Sequence, residues 1–174
     1  MPYDPKRHHR RSIRLKGHDY QADGVYFVTL CVQGRHCVLG EVRAGRVKLS
    51  PLGQVVAEAW QWLAENHPYV ALDTWVVMPN HLHGILVLRP TDRVQEGGSR
   101  TAVPVKRKPL GRLIGAFKTI STKRINQLRN TEGERFWQRN YWERIIRDDD
   151  ELHRTRWYIA NNPAAWTDDA LYVE

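Results

Sequence analysis

Cysteine is scarce. The 174-residue chain holds two, Cys31 and Cys37, and their spacing is neither C-x-x-C nor that of a zinc finger, which excludes a disulfide framework. Both read as reduced packing residues, one in a strand and one in its neighbour. Long apolar runs are missing as well. The best candidate, Trp75 to Leu88, is cut by Pro79, Asn80, His81 and His83, short of the roughly 20 residues a membrane helix needs. Lys6, Arg7, Arg10 and Arg11 open the chain with no apolar segment behind them, so no secretory signal is read and a soluble, cytoplasmic protein without a membrane partner is expected. No repeat recurs at solenoid or propeller periods. Acids are in deficit: 19 Asp and Glu face 27 Lys and Arg, leaving a net charge of +8, and such an excess favours a polyanionic partner.

What is present is ordinary for a globular chain, 41% hydrophobic and 26% charged, enough for one domain with a real core. Residues 1–20 form a basic arm, with Lys6, Arg7, Arg10, Arg11, Arg14 and Lys16 against Asp4 and Asp19. The expected single domain is 21–174. It is interrupted at about 91–109 by a flexible basic loop carrying Gly97, Gly98, Pro104, Lys106, Arg107, Lys108 and Pro109.

The periodicity predicts a strand over Val25 to Val32 and a hairpin from Cys37 to Leu49 around Arg43-Ala44-Gly45. Ser50-Pro51 then opens a helix with Leu52, Val55, Val56, Ala59, Trp60 and Leu63 on one face. Two strands follow, Val70 to Met78 and Leu82 to Leu88, joined at Pro79-Asn80. A second helix presents Leu110, Leu113, Ile114, Phe117, Ile120 and Ile125, with Arg112, Lys118, Lys123 and Arg124 beside or opposite them. A strand over Tyr141 to Arg147 precedes a last helix, which Asp148 to Glu151 favour at its N-terminus and Asn161-Asn162-Pro163 stops. This order implies an α+β, ferredoxin-like fold: one antiparallel sheet with helices on one face.

His81 and His83 lie two apart in a predicted strand, so both imidazoles leave the same face while Leu82 points to the other. Two neutral nitrogens can then meet one divalent cation. The same pair also suits two histidines partly exposed on an edge strand. On the last helix Tyr158 and Asn162 are four apart and share a face, although a tyrosine packing a terminal helix and an Asn before Pro are ordinary too. Together the four residues suggest more. A metal held by two His and an amide oxygen keeps positions open for phosphate oxygens, and a neighbouring phenol could attack the phosphorus. Tyr141 is the rival nucleophile, Asn161 the alternative ligand, and His153 a helper one turn before Trp157.

Val77-Met78-Pro79-Asn80-His81-Leu82-His83-Gly84 resembles the HUH motif of single-tyrosine transposases, and Trp157-Tyr158-Ile159-Ala160-Asn161-Asn162-Pro163 resembles their tyrosine helix. The whole pattern is most similar to the REP-associated tyrosine transposase family, from Arg11-Ser12-Ile13-Arg14 and Tyr26-Phe27-Val28-Thr29 through Phe117-Lys118 and Phe136-Trp137-Gln138-Arg139 to the final Asn-Pro. Many members have His at the place of Arg144, which is a departure here. The resemblance implies metal ligation by His81, His83 and Asn162, with Tyr158 as the nucleophile that forms a 5′-phosphotyrosine on single-stranded hairpin DNA. The implied cofactor is a divalent metal, Mg or Mn. A homodimer is compatible with it, because the tyrosine helix of some relatives works in the partner subunit. Lys6, Arg7, Arg10, Arg11, Arg14, Lys16, Lys106, Arg107, Lys108, Lys118, Lys123 and Arg124 are the expected nucleic-acid contacts. A zinc hydrolase would want a third His, Glu or Cys at a readable spacing, and a histidine-triad hydrolase would want His at Ile85. The remaining alternative is a non-catalytic binder of structured single-stranded nucleic acid.

Overall fold

The computed structural model describes Leu15, residues 17–90 and residues 107–173. Of the expected arm over residues 1–20, the cations Lys6, Arg7, Arg10, Arg11, Arg14 and Lys16 lie outside them, as do Lys106 and most of the 91–109 loop. The elements run β1 (Gly24–Cys31), β2 (Gly40–Arg43), β3 (Arg46–Leu49), α1 (Pro51–Asn66), β4 (Val70–Val77), β5 (His81–Leu88), α2 (Leu110–Arg129), β6 (Trp142–Ile146) and α3 (Asp149–Asn161). Four strands form one antiparallel sheet in the order β4-β5-β1-β6, and β2-β3 is a separate hairpin. This is the expected ferredoxin-like α+β arrangement, with the hairpin inserted between β1 and α1. No helix among the described residues is long and apolar enough to cross a membrane.

The element ends follow local chemistry. Ser50 Oγ accepts from Gly53 N at 3.1 Å, and Pro51 occupies the first helical turn, where its missing N–H costs nothing. Asp148 accepts from Glu151 N at 2.7 Å, and Asp149, Asp150 and Glu151 follow it where the helix dipole favours negative charge.

The period-2 alternation of the strands sends side chains to two different layers. Tyr26, Val28, Leu30, Leu82 and Leu86 enter the main core, which α1 covers with Val56, Trp60 and Leu63 and α2 with Leu113, Ile114 and Phe117. Trp60 and Phe117 meet edge to face at 5.4 Å. Gly84 makes room for this layer, because a Cβ there would lie 2.6 Å from Trp60 Cζ2. The opposite layer is smaller: Phe27, Ile85, Ile146 and Ile159 form its buried apolar cluster. Here the structure differs from the expectation of helices on one face. The helices α1 and α2 share a face, whereas α3 places Ile159 against the other, since Phe27 and Ile85 leave apolar area there that also needs cover.

A β-bulge between Leu72 and Trp75 interrupts β4, and there Asp73 receives two bonds from Arg156 of α3, Nε to Oδ1 at 2.8 Å and Nη2 to Oδ2 at 2.6 Å. Both cysteines are free. Cys31 is half-buried in β1, whereas Cys37 is exposed and precedes the hairpin rather than packing in a neighbouring strand.

Candidate active site and metal centre

The strand β5 lies between β4 and β1, so His81 and His83 sit on an interior strand and not on an edge. Both are buried, at 0% and 3% exposure, and their ring centroids are 4.4 Å apart on the α3 side of the sheet. Leu82 points the other way, into the main core, as the alternation predicts.

The hydrogen bonds around His81 fix its tautomer. Asn80 donates through Nδ2 to the carbonyls of Arg35 (3.2 Å) and Leu171 (2.8 Å), which leaves Oδ1 as the atom facing His81 Nδ1 at 2.7 Å. An amide oxygen only accepts, so the proton of His81 is on Nδ1 and Nε2 carries a bare lone pair. That Nε2 is buried and has no hydrogen-bond partner. Burial, followed by repulsion from His83, lowers the His81 pKa to about 3, so the ring is neutral at physiological pH. His83 Nδ1 is 2.8 Å from Thr29 Oγ1, and its Nε2 is 3.2 Å from the Tyr158 hydroxyl. Burial also pushes the His83 pKa down.

The turn after α3 supplies a carboxylate that periodicity could not reveal. Ligand atoms of His81, His83 and Asp169 all lie within 4.8 Å of one another. The Asp169 side chain is 2% exposed, and Oδ2 lies 3.9 Å from His83 Nε2. Asn162 Nδ2 donates to the same Oδ2 at 2.6 Å, while Leu171 N donates to Oδ1. Burial works to raise the Asp169 pKa, but His83, Asn162 and the Leu171 amide outweigh it and hold the carboxyl below the usual range. Asn162 Oδ1 is itself buried without a hydrogen-bond partner.

These observations test the residues against a divalent metal. Two bare, buried donor atoms, His81 Nε2 and Asn162 Oδ1, would each be costly to bury without a partner. The two imidazoles of His81 and His83 and the Asp169 carboxylate bring together a mixed nitrogen and oxygen set of the sort that binds divalent first-row metals. The residues therefore fit a metal.

Tyr158 stands on α3 at 42% exposure, its ring 5.2 Å from that of His83 and 6.0 Å from that of Phe27. Burial, then the charge of Asp169, raises the phenol pKa above its ordinary value, so the hydroxyl keeps its proton near neutral pH. The phenol faces a cleft of about 770 Å³ that also borders His83, Asp169, Tyr141, Trp142 and Arg154. Tyr141, the rival nucleophile, therefore shares this cleft, but it precedes β6, and its ring lies 5.6 Å from Lys118 Nζ. Asn161 Nδ2 bonds back to Trp157 O, and His153 Nδ1 lies 2.7 Å from Asp149 O in its own helix, so neither joins the cluster.

The described cations that the sequence nominated for nucleic acid are largely engaged within the protein. Arg107 pairs with Asp23 at 2.7 Å and stands over the Tyr69 ring, while Lys108 Nζ lies 3.3 Å from His67 Nε2. Arg124 pairs with Glu58 at 3.6 Å. Lys118 donates to the carbonyls of Gln138, Arg139 and Asn140. Lys123 borders a groove along α2 with Arg135 and Arg139. Arg154 was not nominated, although it stands one turn before Tyr158 on the face turned to the cleft.

No protein-family model matches the chain. An uncharacterized protein of Haemophilus influenzae is 37% identical over 186 aligned positions, covering 99% of this chain and 98% of that protein. The chain belongs to one family with it. A solved structure of a REP-associated tyrosine transposase bound to a REP hairpin matches 90% of this chain and 74% of that chain, with a TM-score of 0.61 and 20% identity. The fold is thus that of a REP-associated tyrosine transposase, and it agrees with the family that the HUH and tyrosine-helix motifs resemble.

Proposed function

We propose that the protein is a metal-dependent single-stranded DNA transposase that cleaves and rejoins hairpin DNA through a 5′-phosphotyrosine on Tyr158. The observation that carries this reading is the Tyr158 hydroxyl 3.2 Å from His83 Nε2, at the edge of the His81, His83 and Asp169 cluster. In the cleavage step the Tyr158 oxygen bonds to phosphorus and the bond from phosphorus to the 3′ oxygen breaks. The phenol proton leaves to solvent, which reaches the half-exposed Tyr158, because His83 Nε2 is a metal ligand in this reading; the departing oxygen takes a proton to become a free 3′-hydroxyl. The phosphodiester is exchanged for a phosphotyrosine ester, so rejoining needs no ATP. A metal on His81, His83 and Asp169, with the unpartnered Asn162 Oδ1 as a further candidate ligand, would polarise the scissile phosphate and favour the phenolate; Mg or Mn is proposed, and the two imidazoles favour Mn.

The free protein holds the phenol protonated, and this limits reaction without the metal. The basic arm, with Lys6, Arg7, Arg10, Arg11, Arg14 and Lys16, and the Lys106-Arg107-Lys108 segment add phosphate attraction in this reading. The solved transposase bound to a REP hairpin supports a hairpin partner, and a cytoplasmic site of action suits such a substrate.

The test is incubation with single-stranded hairpin oligonucleotides and Mn²⁺, followed by a denaturing gel and peptide mapping of any adduct. An adduct on Tyr158 is expected, and Tyr158→Phe should reduce it to background. The change should cost about 1 kcal/mol of stability at most, because it removes one hydroxyl contact. Tight hairpin binding with no adduct at any metal concentration would instead favour the non-catalytic binder. An adduct on Tyr141 would move the nucleophile across the cleft.

A further inference from the structure

The cleft is larger than the phenol and the ligand cluster require. Tyr158, His83 and Asp169 occupy one part of it, and Gln138, Asn140, Tyr141 and Trp142 line another. Phe27 joins the two parts, with ring centroids 6.0 Å from Tyr158 and 5.5 Å from Trp142. Trp142 is thus one ring beyond the nucleophile, within the reach of a single nucleotide whose phosphate meets Tyr158. It is 47% exposed on β6, a sheet-edge strand, and so presents a large aromatic surface to solvent beside the candidate active site.

The wall that carries Trp142 is held by a half-buried cation. Lys118 Nζ donates to Gln138 O at 2.8 Å, Asn140 O at 3.1 Å and Arg139 O at 3.4 Å, and lies 5.6 Å from the Tyr141 ring centre. Desolvation lowers its pKa to about 8. Binding three successive carbonyls fixes the loop, and Gln138 and Asn140 line the cleft. Neither amide makes a hydrogen bond within the described residues, so both retain a donor and an acceptor. Arg154, one turn before Tyr158, lines the same cleft and has no ion-pair partner among the described residues.

We propose that this wall is a specificity subsite for one unpaired nucleobase next to the scissile phosphate, stacked on Trp142 and read at its edge by Gln138 and Asn140, with Arg154 at the backbone phosphate. The proposal rests on the transposase reading for the identity of the phosphate. The occupant is chosen by chemistry: an aromatic face, two free amides and an unpaired guanidinium match the π-face, the edge and the charge of a nucleotide. A base inside a duplex offers neither a free face nor a free pairing edge.

The probe is a thymidine octanucleotide carrying one 2-aminopurine, and the same strand with one 5-iodouracil for photocross-linking, both read without cleavage. Cross-links should map to the Trp142 peptide. Trp142→Ala should weaken binding about tenfold and relieve the quenching of 2-aminopurine, whereas Trp142→Phe keeps most of both. The double substitution of Gln138 and Asn140 by Ala should flatten the preference among the four bases while leaving Trp142 cross-linking in place. Cross-linking at Trp157, which is 69% exposed on α3, or unchanged binding by Trp142→Ala, would overturn the subsite. A protein that captures DNA on Tyr158 yet is indifferent to Trp142 sinks this inference alone. One that forms no adduct but stacks a base on Trp142 sinks the transposase reading and keeps the subsite.

Discussion

The two faces of the sheet use the same four strands for different ends. Toward α1 and α2 the strands contribute Tyr26, Val28, Leu30, Leu82 and Leu86 to a continuous apolar layer. Toward α3 the buried apolar cluster is Phe27, Ile85, Ile146 and Ile159, and around it lie the buried polar residues Thr29, His81, His83, Thr155 and Asn162. Alternation along single strands makes this division, with Leu82 and His83 as neighbours in sequence. One face is thick enough to stabilise the fold, so the other can hold bare polar atoms that a small core would not tolerate.

The largest effect expected from this contrast is in stability. Trp60 is fully buried against Phe117, so Trp60→Ala should cost about 3–5 kcal/mol, with little room for the layer to collapse. Trp142→Ala, on the opposite face at 47% exposure, should cost about 1 kcal/mol or less. Denaturant titration of both variants measures the difference. Equal losses would show that the α3 face carries as much of the fold as the other and would end the comparison.

The next effect is on metal affinity. Asn80 holds three groups at once: His81 Nδ1, the carbonyl of Arg35 and the carbonyl of Leu171, two residues beyond Asp169. It therefore orients one candidate ligand and anchors the segment that delivers another. Asn80→Ala should weaken Mn²⁺ binding about 10–100-fold in calorimetry, the usual cost of removing a residue that orients a ligand. Asn80→Asp keeps the acceptor for His81 but loses the donor to Leu171. It should recover part of the affinity if the tautomer matters most, and none if the tail does. Full affinity in the Ala protein would show that the cluster needs no such support.

How much of this was legible follows the same division. Leu52 to Leu63 and Leu110 to Ile125 repeat at helical spacing, and the strands alternate, so the α1/α2 layer could be read from the sequence. The H-x-H pair and Tyr158 could also be read, because each relation is local: two residues along a strand, or a motif on one helix. Asp169 could not. It lies in an irregular segment after α3, where no period places a side chain, and only tertiary contact brings it 3.9 Å from His83. The placement of α3 was missed for a related reason, since β1 and β5 are apolar on both faces and a run such as Val25 to Leu30 does not say which helix covers which side. The partners that Arg107, Lys118 and Arg124 have within the protein were not legible either, because sequence shows charge but not its partner.

The smallest effect expected is at the tether between the α3 layer and β4. Arg156 lies two residues before Tyr158 on α3, and its bidentate bonds reach Asp73 in the β4 bulge. The Arg156 hydrogen bonds, against some desolvation, lower the Asp73 pKa from 3.8 to about 2. For a carboxylate lowered in this way the unfolded chain binds the proton first. The stabilisation is therefore fully present above the unfolded value of 3.8 and is lost as pH falls from there toward 2. Solvent reaches Arg156, so the contribution should be small and weaker in salt. Thermal unfolding of wild type and Asp73→Asn should differ near neutral pH and converge as pH drops through that window, while other carboxylates cancel in the difference. Hydrogen exchange should place the loss in α3 and leave α1 and α2 protected. A constant gap between the two proteins down to pH 2 would mean that Asp73 acts through the shape of the bulge, and that the charge pair does not bind the two layers together.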